Sequence, residues 1–220
     1  FCDRDAETIK IPSFIKKIES FAFNQCDKLQ VLDIPNDSEI RKIGKFAFCG
    51  TSIKKVKIPR HLTEISECSF SCCNYLEIIE IPPDSDLEII GNSAFCGAPI
   101  ESFKISHHIK KICENAFDGC YKLRIIEIPS DSELQIIDSD AFYYTLIENL
   151  SFPSSLFELK EEWCLSDELK TIEISPNNQY YKKYEDKLII GKSSKELDEF
   201  DTLIFCDRNV ESIIIPNFIK

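Results

Sequence analysis

The chain repeats itself every 47 residues, and this regularity limits its fold more than any other feature of the sequence. The repeat is clearest in two series of phenylalanines, Phe23, Phe70 and Phe117, and then Phe48, Phe95 and Phe142. Self-similarity at a fixed period of this kind is typical of a solenoid, in which one unit cannot bury its apolar face alone and stacks on its neighbours. The sequence therefore predicts a long, regular surface rather than a globule with a pocket.

Each period contains two half-repeats with a common skeleton. Pro12 to Pro35 spans 23 residues, and Pro35 to Pro59 spans 24. An apolar-x-Ile-Pro segment comes first, then a spaced Ile or Leu, then an Ala-Phe step. The alternation before each proline predicts a short strand with one buried face, which ends at the proline because that residue has no N–H to donate. The predicted inward pairs are Ile9/Ile11, Leu32/Ile34, Val56/Ile58, Ile79/Ile81, Phe103/Ile105, Ile126/Ile128, Leu150/Phe152 and Ile172/Ile174.

Two more apolar columns complete the predicted core. The first runs through Ile18, Ile43, Ile65, Ile90, Ile112, Ile137 and Leu159. The second is a spine of phenylalanines, Phe23, Phe48, Phe70, Phe95, Phe117 and Phe142. An alanine, or Ser69, precedes each ring and leaves room for the chain to turn tightly beside it. We interpret all of these positions as core packing.

The pattern that runs from Ile9 to Leu29, Ile-x-Ile-Pro…Ile…Ala-Phe-x-x-Cys-x-x-Leu, resembles the BspA-type leucine-rich repeat. It recurs seven times and covers nearly all of residues 7–176. The resemblance implies a horseshoe or ribbon solenoid with a parallel sheet along one face. We expect an α/β-type but strand-rich repeat fold, with short helical turns at the Ala-Phe steps.

The resemblance also implies a function. The family is found on surface antigens of bacteria and mucosal protists and is associated with adhesion to host proteins. This chain is then expected to be a non-enzymatic, protein-binding region at the cell surface or outside the cell, with a host surface or matrix protein as its partner. A cytoplasmic scaffold that binds proteins through the same face is the alternative, and a cysteine-dependent enzyme is a distant third.

The repeat changes character toward the C-terminus. Trp163-Cys164 stands where an Ala-Phe step should fall, and a Tyr-rich segment with two apolar runs follows Pro176. We expect the solenoid over residues 1–176, a hairpin-like insertion over 177–206, and the start of another repeat block over 207–220. Residues 205–220 match residues 1–16 at eleven of sixteen positions. The chain is therefore expected to be a piece of a longer protein whose exposed ends associate with each other.

The charge of the chain excludes some partners. The net charge is −12, so nucleic acid and anionic membrane surfaces are unfavourable partners, because binding to phosphate depends on clustered lysine and arginine. No apolar run approaches the roughly 20 residues that a membrane-spanning helix needs. We therefore expect no membrane insertion.

The outward positions of the predicted strands carry the most distinctive non-core pattern. One column alternates in sign, and a neighbouring column places Val31, Ile78 and Ile125 in alternate rungs. The simpler interpretation is that opposite charges on adjacent strands neutralise each other. Exposed ion pairs contribute roughly 0–1 kcal/mol each to stability, so they would mainly set the register of the strands. The functional interpretation is a protein-binding face. The face would consist of Lys10, Val31, Asp33, Lys55, Lys57, Ile78, Glu80, Lys104, Ile125, Glu127 and Glu173, with Tyr180, Tyr181 and Tyr184 as secondary contacts.

The eleven cysteines are mostly expected to be free thiols. Cysteines in the same slot of successive periods lie two rungs apart, roughly 10 Å, whereas a disulfide needs Cα atoms within about 7 Å. Cys72 and Cys73 could each reach an adjacent rung, which leaves one bridge open.

No metal, cofactor or catalytic site is expected. His61 and His108 lie two rungs apart, and adjacent His107 and His108 at a strand end should point in opposite directions. Cys113 lies near His108 in the sequence, but no third group is available to orient the pair, so we do not expect Cys113 to be a catalytic nucleophile. The acidic turns offer too few oxygens for calcium and are explained more simply by turn formation.

Overall fold

The computed structural model describes residues 5–164, 166–185, 187–194, 196–206 and 213–219. It is a strand-rich parallel solenoid of about seven coils, in which one half-repeat forms one coil. The strands are numbered here in chain order. The strand that opens each coil is β1 (Thr8–Lys10), β3 (Val31–Asp33), β5 (Lys55–Lys57), β7 (Ile78–Glu80), β9 (Ser102–Lys104), β11 (Ile125–Glu127), β13 (Asn149–Phe152) and β15 (Thr171–Ile174). The shorter second strand is β2 (Lys17–Ile18), β4 (Lys42–Ile43), β6 (Glu64–Ile65), β8 (Ile89–Ile90), β10 (Lys111–Ile112), β12 (Ile136–Ile137) and β14 (Glu158–Leu159).

The opening strands form the predicted parallel face. Ile9 is in register with Leu32, Val56 with Ile79, and Ile126 with Phe103. This face has assigned ladders in three sections, β1–β3, β5–β7 and β9-β11-β13-β15. The second strands form one continuous sheet in the order β14-β12-β10-β8-β6-β4-β2. Alternation along each opening strand sends one side chain into the core and its neighbours to the surface, as the sequence predicted.

The third side of each coil consists of consecutive turns, and the prediction of short helical turns there was wrong. Among the described residues no segment is helical. Alternate N–H groups at the turns donate to the next coil, as Phe23 does to the carbonyl of Ala47 at 2.8 Å, so they are not available for bonds four residues back. The residue two before each ring of the spine has positive φ, between 52° and 62°, which interrupts a right-handed helix. These residues are Phe21, Phe46, Cys68, Ser93, Asn115 and Asp140.

The phenylalanine spine lies at the centre of the stack. Successive rings from Phe23 to Phe142 are stacked at centroid distances of 5.1–5.8 Å, with interplanar angles of 20° or less. All but Phe23 are fully buried. Where the pattern breaks, Trp163 packs edge-on against Phe152 at 5.6 Å. Each ring between Phe23 and Phe142 therefore has a stacked neighbour on both sides.

The slot three residues after each ring of the spine holds cysteine or threonine, except at Ala98. Cys73 Sγ donates to the carbonyl of Phe48 at 3.1 Å, and Cys120 Sγ to that of Phe95 at 3.2 Å. Thr51 Oγ1 donates to the same Phe48 carbonyl at 2.9 Å. Both carbonyls also accept a backbone N–H, from Thr51 at 3.3 Å and from Ala98 at 3.0 Å, so the small side chain adds a second donor and pairs its own buried polar group. These cysteines serve packing and hydrogen bonding.

An antiparallel sheet follows the last coil. Its strands are β16 (Tyr181–Tyr184), β17 (Leu188–Gly191) and β18 (Thr202–Cys206), in that order. Tyr181 packs against Phe152 at 5.5 Å, so this sheet continues the core of the solenoid. Residues 207–212 and 220 of the expected repeat block at 207–220 lie outside the described residues. Among the described residues no helix is long and apolar enough to cross a membrane.

Ser106 stands where three other periods carry Pro12, Pro59 and Pro153, and restoring proline should stabilise the chain. The Ser106 hydroxyl is buried without a partner among the described residues. The N–H of Ile105, just before Ser106, donates to the carbonyl of Glu127 at 2.9 Å. The N–H of Ile58, just before Pro59, donates in the same way to the carbonyl of Glu80 at 2.8 Å, so the backbone before Ser106 already matches the backbone before a proline. We expect Ser106→Pro to raise the free energy of unfolding by about 1 kcal/mol, measured by urea denaturation. Ser102→Pro, inside β9, is the control and should destabilise; an equal effect of both would contradict the explanation.

We expect truncation of Phe95, in the middle of the spine, to lower the stability of the fold more than truncation of an exposed ring. Phe95→Ala removes stacking with the rings on both sides and leaves a cavity, so we expect a loss of about 3–5 kcal/mol in the free energy of unfolding. Phe14→Ala removes a ring that is 70% exposed and should cost less than about 0.5 kcal/mol. Guanidinium denaturation of both variants tests the prediction, and similar midpoints would show that the stacked rings are not the main source of stability.

Candidate protein-binding face

The outer strip is the name used here for the outward side chains of the parallel face, the set predicted from the sequence. The structure brings them onto one surface because the opening strands are in register. Its members are Lys10, Val31, Asp33, Lys55, Lys57, Ile78, Glu80, Lys104, Ile125, Glu127 and Glu173, and all are exposed except Lys57, which is half-buried. The strip therefore runs along three ladder sections of the sheet, within each of which its residues are in register.

Three apolar side chains lie on the strip at alternate coils. Val31 and Ile78 are 50% exposed and Ile125 is 54% exposed. They are flanked in register by Thr8, Lys55 and Ser102. Large aliphatic side chains left half in water offer apolar area that a partner could cover.

The charged members of the strip make contacts that differ from a simple ladder. Glu80 is in register with Lys57, yet its Oε1 lies 2.7 Å from Nζ of Lys55 in the same preceding strand. Lys57 instead donates to the side-chain oxygen of Asn36. At the far end Glu173 accepts from Lys183 at 2.9 Å through both carboxylate oxygens. These groups are exposed apart from the half-buried Lys57, so the pairs contribute little to stability.

The three tyrosines proposed as secondary contacts have different environments. Tyr181 is 5% exposed, and burial raises the pKa of its hydroxyl to about 12. Its ring belongs to the core, so the prediction that it contacts a partner was wrong. Tyr180 is half-buried with Lys192 Nζ 5.8 Å from its ring centre, and Tyr184 packs edge-on against Phe218 at 5.7 Å. Of the three tyrosines, Tyr180 and Tyr184 are half-buried and keep enough accessible surface to contact a partner.

A cleft of about 680 Å³ opens beside the strip where the Ile-Pro segments of consecutive coils end. Its walls are mostly apolar, and its rim carries charge. The residues that line it include Ile79, Ile81, Pro82, Pro83, Ile105 and Pro129, with Lys57, Glu80, Lys104 and His107 at the polar positions. Sequence reasoning missed this cleft, because a strand pattern identifies which residues point inward but not where neighbouring coils diverge.

Two histidines next to the cleft meet around one carboxylate. His107 and His108 lie in the turn after β9, and their rings are in edge-on contact at 5.0 Å. Oε1 of Glu133 lies 3.5 Å from Nε2 of His107 and 3.4 Å from Nδ1 of His108. The prediction that the two histidines point in opposite directions was wrong, because side chains alternate along a strand but not around a turn.

The cysteines show no catalytic arrangement among the described residues. Cys49, Cys68, Cys72, Cys73, Cys96, Cys113 and Cys120 carry free thiols, so the bridge left open for Cys72 or Cys73 is not formed. Burial raises the pKa of the Cys113 thiol to about 11. A thiol with this pKa stays protonated at neutral pH and is a poor nucleophile.

The sequence matches a known repeat family over most of its length. Residues 1–97 and 88–187 match the family described as BspA type Leucine rich repeat region, in six copies. No curated protein matches the sequence.

Solved structures of repeat proteins are similar in fold. A leucine-rich repeat protein from Bacteroides ovatus is 28% identical, with a TM-score of 0.63, over 80% of this chain and 51% of its own. One from Eubacterium ventriosum is 17% identical, with a TM-score of 0.63, over 79% and 47%. The leucine rich repeat protein of T. pallidum is 22% identical, with a TM-score of 0.55, over 77% and 74%. This chain therefore spans about half the length of the first two proteins.

The Lys55–Glu80 pair should couple only weakly. A double-mutant cycle with Lys55→Ala and Glu80→Ala should give at most about 1 kcal/mol, and less at high salt, because both groups face water. The matched control is Lys111–Asp138, at the same 2.7 Å but with the carboxylate only 16% exposed, which should couple more strongly. Urea denaturation of the single and double variants measures both coupling free energies. A stronger coupling at Lys55–Glu80 would show that the strip's charges hold the fold together.

Proposed function

We propose that this chain, which belongs to the BspA-type leucine-rich repeat family, is a non-enzymatic protein-binding region of a cell-surface antigen that adheres to host or neighbouring-cell proteins. Leucine-rich repeats are protein-interaction modules, and the fold here is a rigid stack that displays a regular face. The proposal places the binding surface on the outer strip. The single observation that carries it is the row of half-exposed aliphatic side chains, Val31, Ile78 and Ile125, on an otherwise polar sheet.

The composition of the strip supports a protein partner. Interfaces between proteins place apolar side chains at the centre and charged groups at the rim, where they guide association more than they add affinity. Ile78 and Ile125 have this arrangement, with Glu80, Lys104 and Glu127 around them. A partner with an apolar ridge flanked by groups of both signs would fit.

The proposal is tested by binding of the purified chain to host surface and matrix proteins and to intact host cells. The strip variant is Ile78→Thr with Ile125→Thr, because threonine keeps the β-branch and removes apolar area. We expect its binding to fall at least tenfold, equivalent to about 1.4 kcal/mol, with an unchanged circular dichroism spectrum. The control is Phe14→Ser with Tyr144→Thr, which removes rings 70% and 65% exposed that lie outside the strip. Equal binding by the strip variant and the unmodified chain would remove the strip from consideration.

One observation favours a cytoplasmic scaffold as the second candidate. Seven of the cysteines carry free thiols, and free thiols are typical of reducing compartments. Antibody against the chain separates the two candidates. Staining of intact source cells supports the surface antigen, whereas staining only after permeabilisation supports the scaffold.

A further inference from the structure

The turns that follow β9 and β11 bring two imidazoles and two carboxylates together on the surface. His107 and His108 come from the first turn, and Asp131 and Glu133 from the second. One donor atom from each of His107, His108 and Glu133 lies within 4.8 Å of the others. Core packing does not explain this grouping, since all four side chains are at the surface.

We propose that His107, His108 and Glu133 form a binding site for a divalent transition-metal ion of the Zn²⁺ class. The two separations to Glu133 Oε1 are 3.5 Å from His107 Nε2 and 3.4 Å from His108 Nδ1. A tetrahedral Zn²⁺ with bonds of about 2.0–2.1 Å places its donors about 3.3 Å apart, so these two separations already fit. The donor atoms of the two histidines lie within 4.8 Å of each other, and any excess over about 3.3 Å would be closed by rotation of the two exposed rings. Imidazole with carboxylate suits Zn²⁺, Ni²⁺ and Co²⁺, whereas Ca²⁺ requires six or more oxygens.

The backbone fixes the two turns relative to each other before any ion binds. The Glu133 N–H donates to the His107 carbonyl at 2.9 Å, which joins the two turns directly. The first turn is closed by a bond from Ile109 N–H to the Ser106 carbonyl at 3.2 Å. The second is held by the Ser132 hydroxyl, which accepts from the Leu134 N–H at 3.2 Å. A site held by rigid backbone loses less conformational entropy on binding.

Asp131 acts as an orienting group for His107. Its Oδ2 lies 3.4 Å from Nδ1 of His107, the nitrogen opposite to the one that faces Glu133. A carboxylate on one ring nitrogen fixes the tautomer that leaves the other nitrogen free to bind a metal. With three protein ligands, a tetrahedral ion keeps one position for water or for a carboxylate of a partner.

The preceding period contains the same two turns with one decisive difference. Arg60 and His61 stand where His107 and His108 do, and Asp84 and Asp86 stand where Asp131 and Glu133 do. There Arg60 pairs with Asp84 at 3.1 Å and His61 with Asp86 at 2.9 Å. Arginine carries a permanent positive charge and has no acceptor, so it neutralises the acidic turn and cannot bind a metal. The chain therefore carries its own matched control.

The test is Co²⁺ titration of the whole chain, followed by visible absorbance, which separates nitrogen and oxygen ligands from thiolate. We expect one Co²⁺ per chain bound through nitrogen and oxygen, displaced by Zn²⁺. His108→Ala and Glu133→Gln should each abolish this binding, and Asp131→Asn should weaken it about tenfold. His61→Ala, in the matched turn, should leave it unchanged.

Thermal unfolding gives an independent measurement. Zn²⁺ should raise the unfolding temperature of the unmodified chain and of His61→Ala, because an ion that binds only the folded state stabilises it, and should leave His108→Ala unaffected. Circular dichroism without metal verifies that each variant is folded. Absence of a one-to-one nitrogen and oxygen complex, or its persistence in both His108→Ala and Glu133→Gln, would overturn the proposal.

Discussion

Backbone hydrogen bonds that run from one coil to the next are the interaction on which the rest of this structure depends. On two sides of the stack they are parallel ladders, and on the third they join successive turns, as where Phe95 N–H donates to Ala116 at 2.9 Å. Buried peptide groups must be paired, and here each coil pairs them with the coils before and after it. Side chains in equivalent positions are thereby held in columns, which is why the rings of the spine stack and why the residues of the outer strip line up within each ladder section.

The parts of the fold that the sequence predicts are those set by periodicity. The two-residue alternation identifies which of Ile9, Lys10 and Ile11 point inward, and the 47-residue step says which residues share a column. The Ala-Phe turns escaped prediction because alanine and phenylalanine do not exclude a helix locally. What decides their conformation is the carbonyl of the neighbouring coil, and a positive φ at Phe21 or Cys68 has no local sequence signal of the kind that glycine gives.

The candidate sites were likewise predictable from the sequence only where periodicity determines them. The exposure of Val31, Ile78 and Ile125 follows from alternation, so the strip could be described from the sequence. The sequence could not predict that Glu80 pairs with Lys55 and not with Lys57. The partner of a long exposed side chain depends on its rotamer more than on the register of the strands. The histidine cluster depends on two turns that lie in different coils. Aligning Arg60-His61 with His107-His108, and the acidic turns with each other, was the one signal that could have found it.

The direction of the hydrogen bonds also determines how such a molecule responds to force. The hydrogen bonds between coils point along the stack. Tension between the two ends of the stack is therefore carried by all the bonds between one pair of coils together, and it passes from each pair of coils to the next. Each interface is held only by its immediate neighbours, so coils peel away individually and lengthen the chain in small increments. A solenoid built in this way is expected to lengthen gradually under tension and to rewind when the load falls.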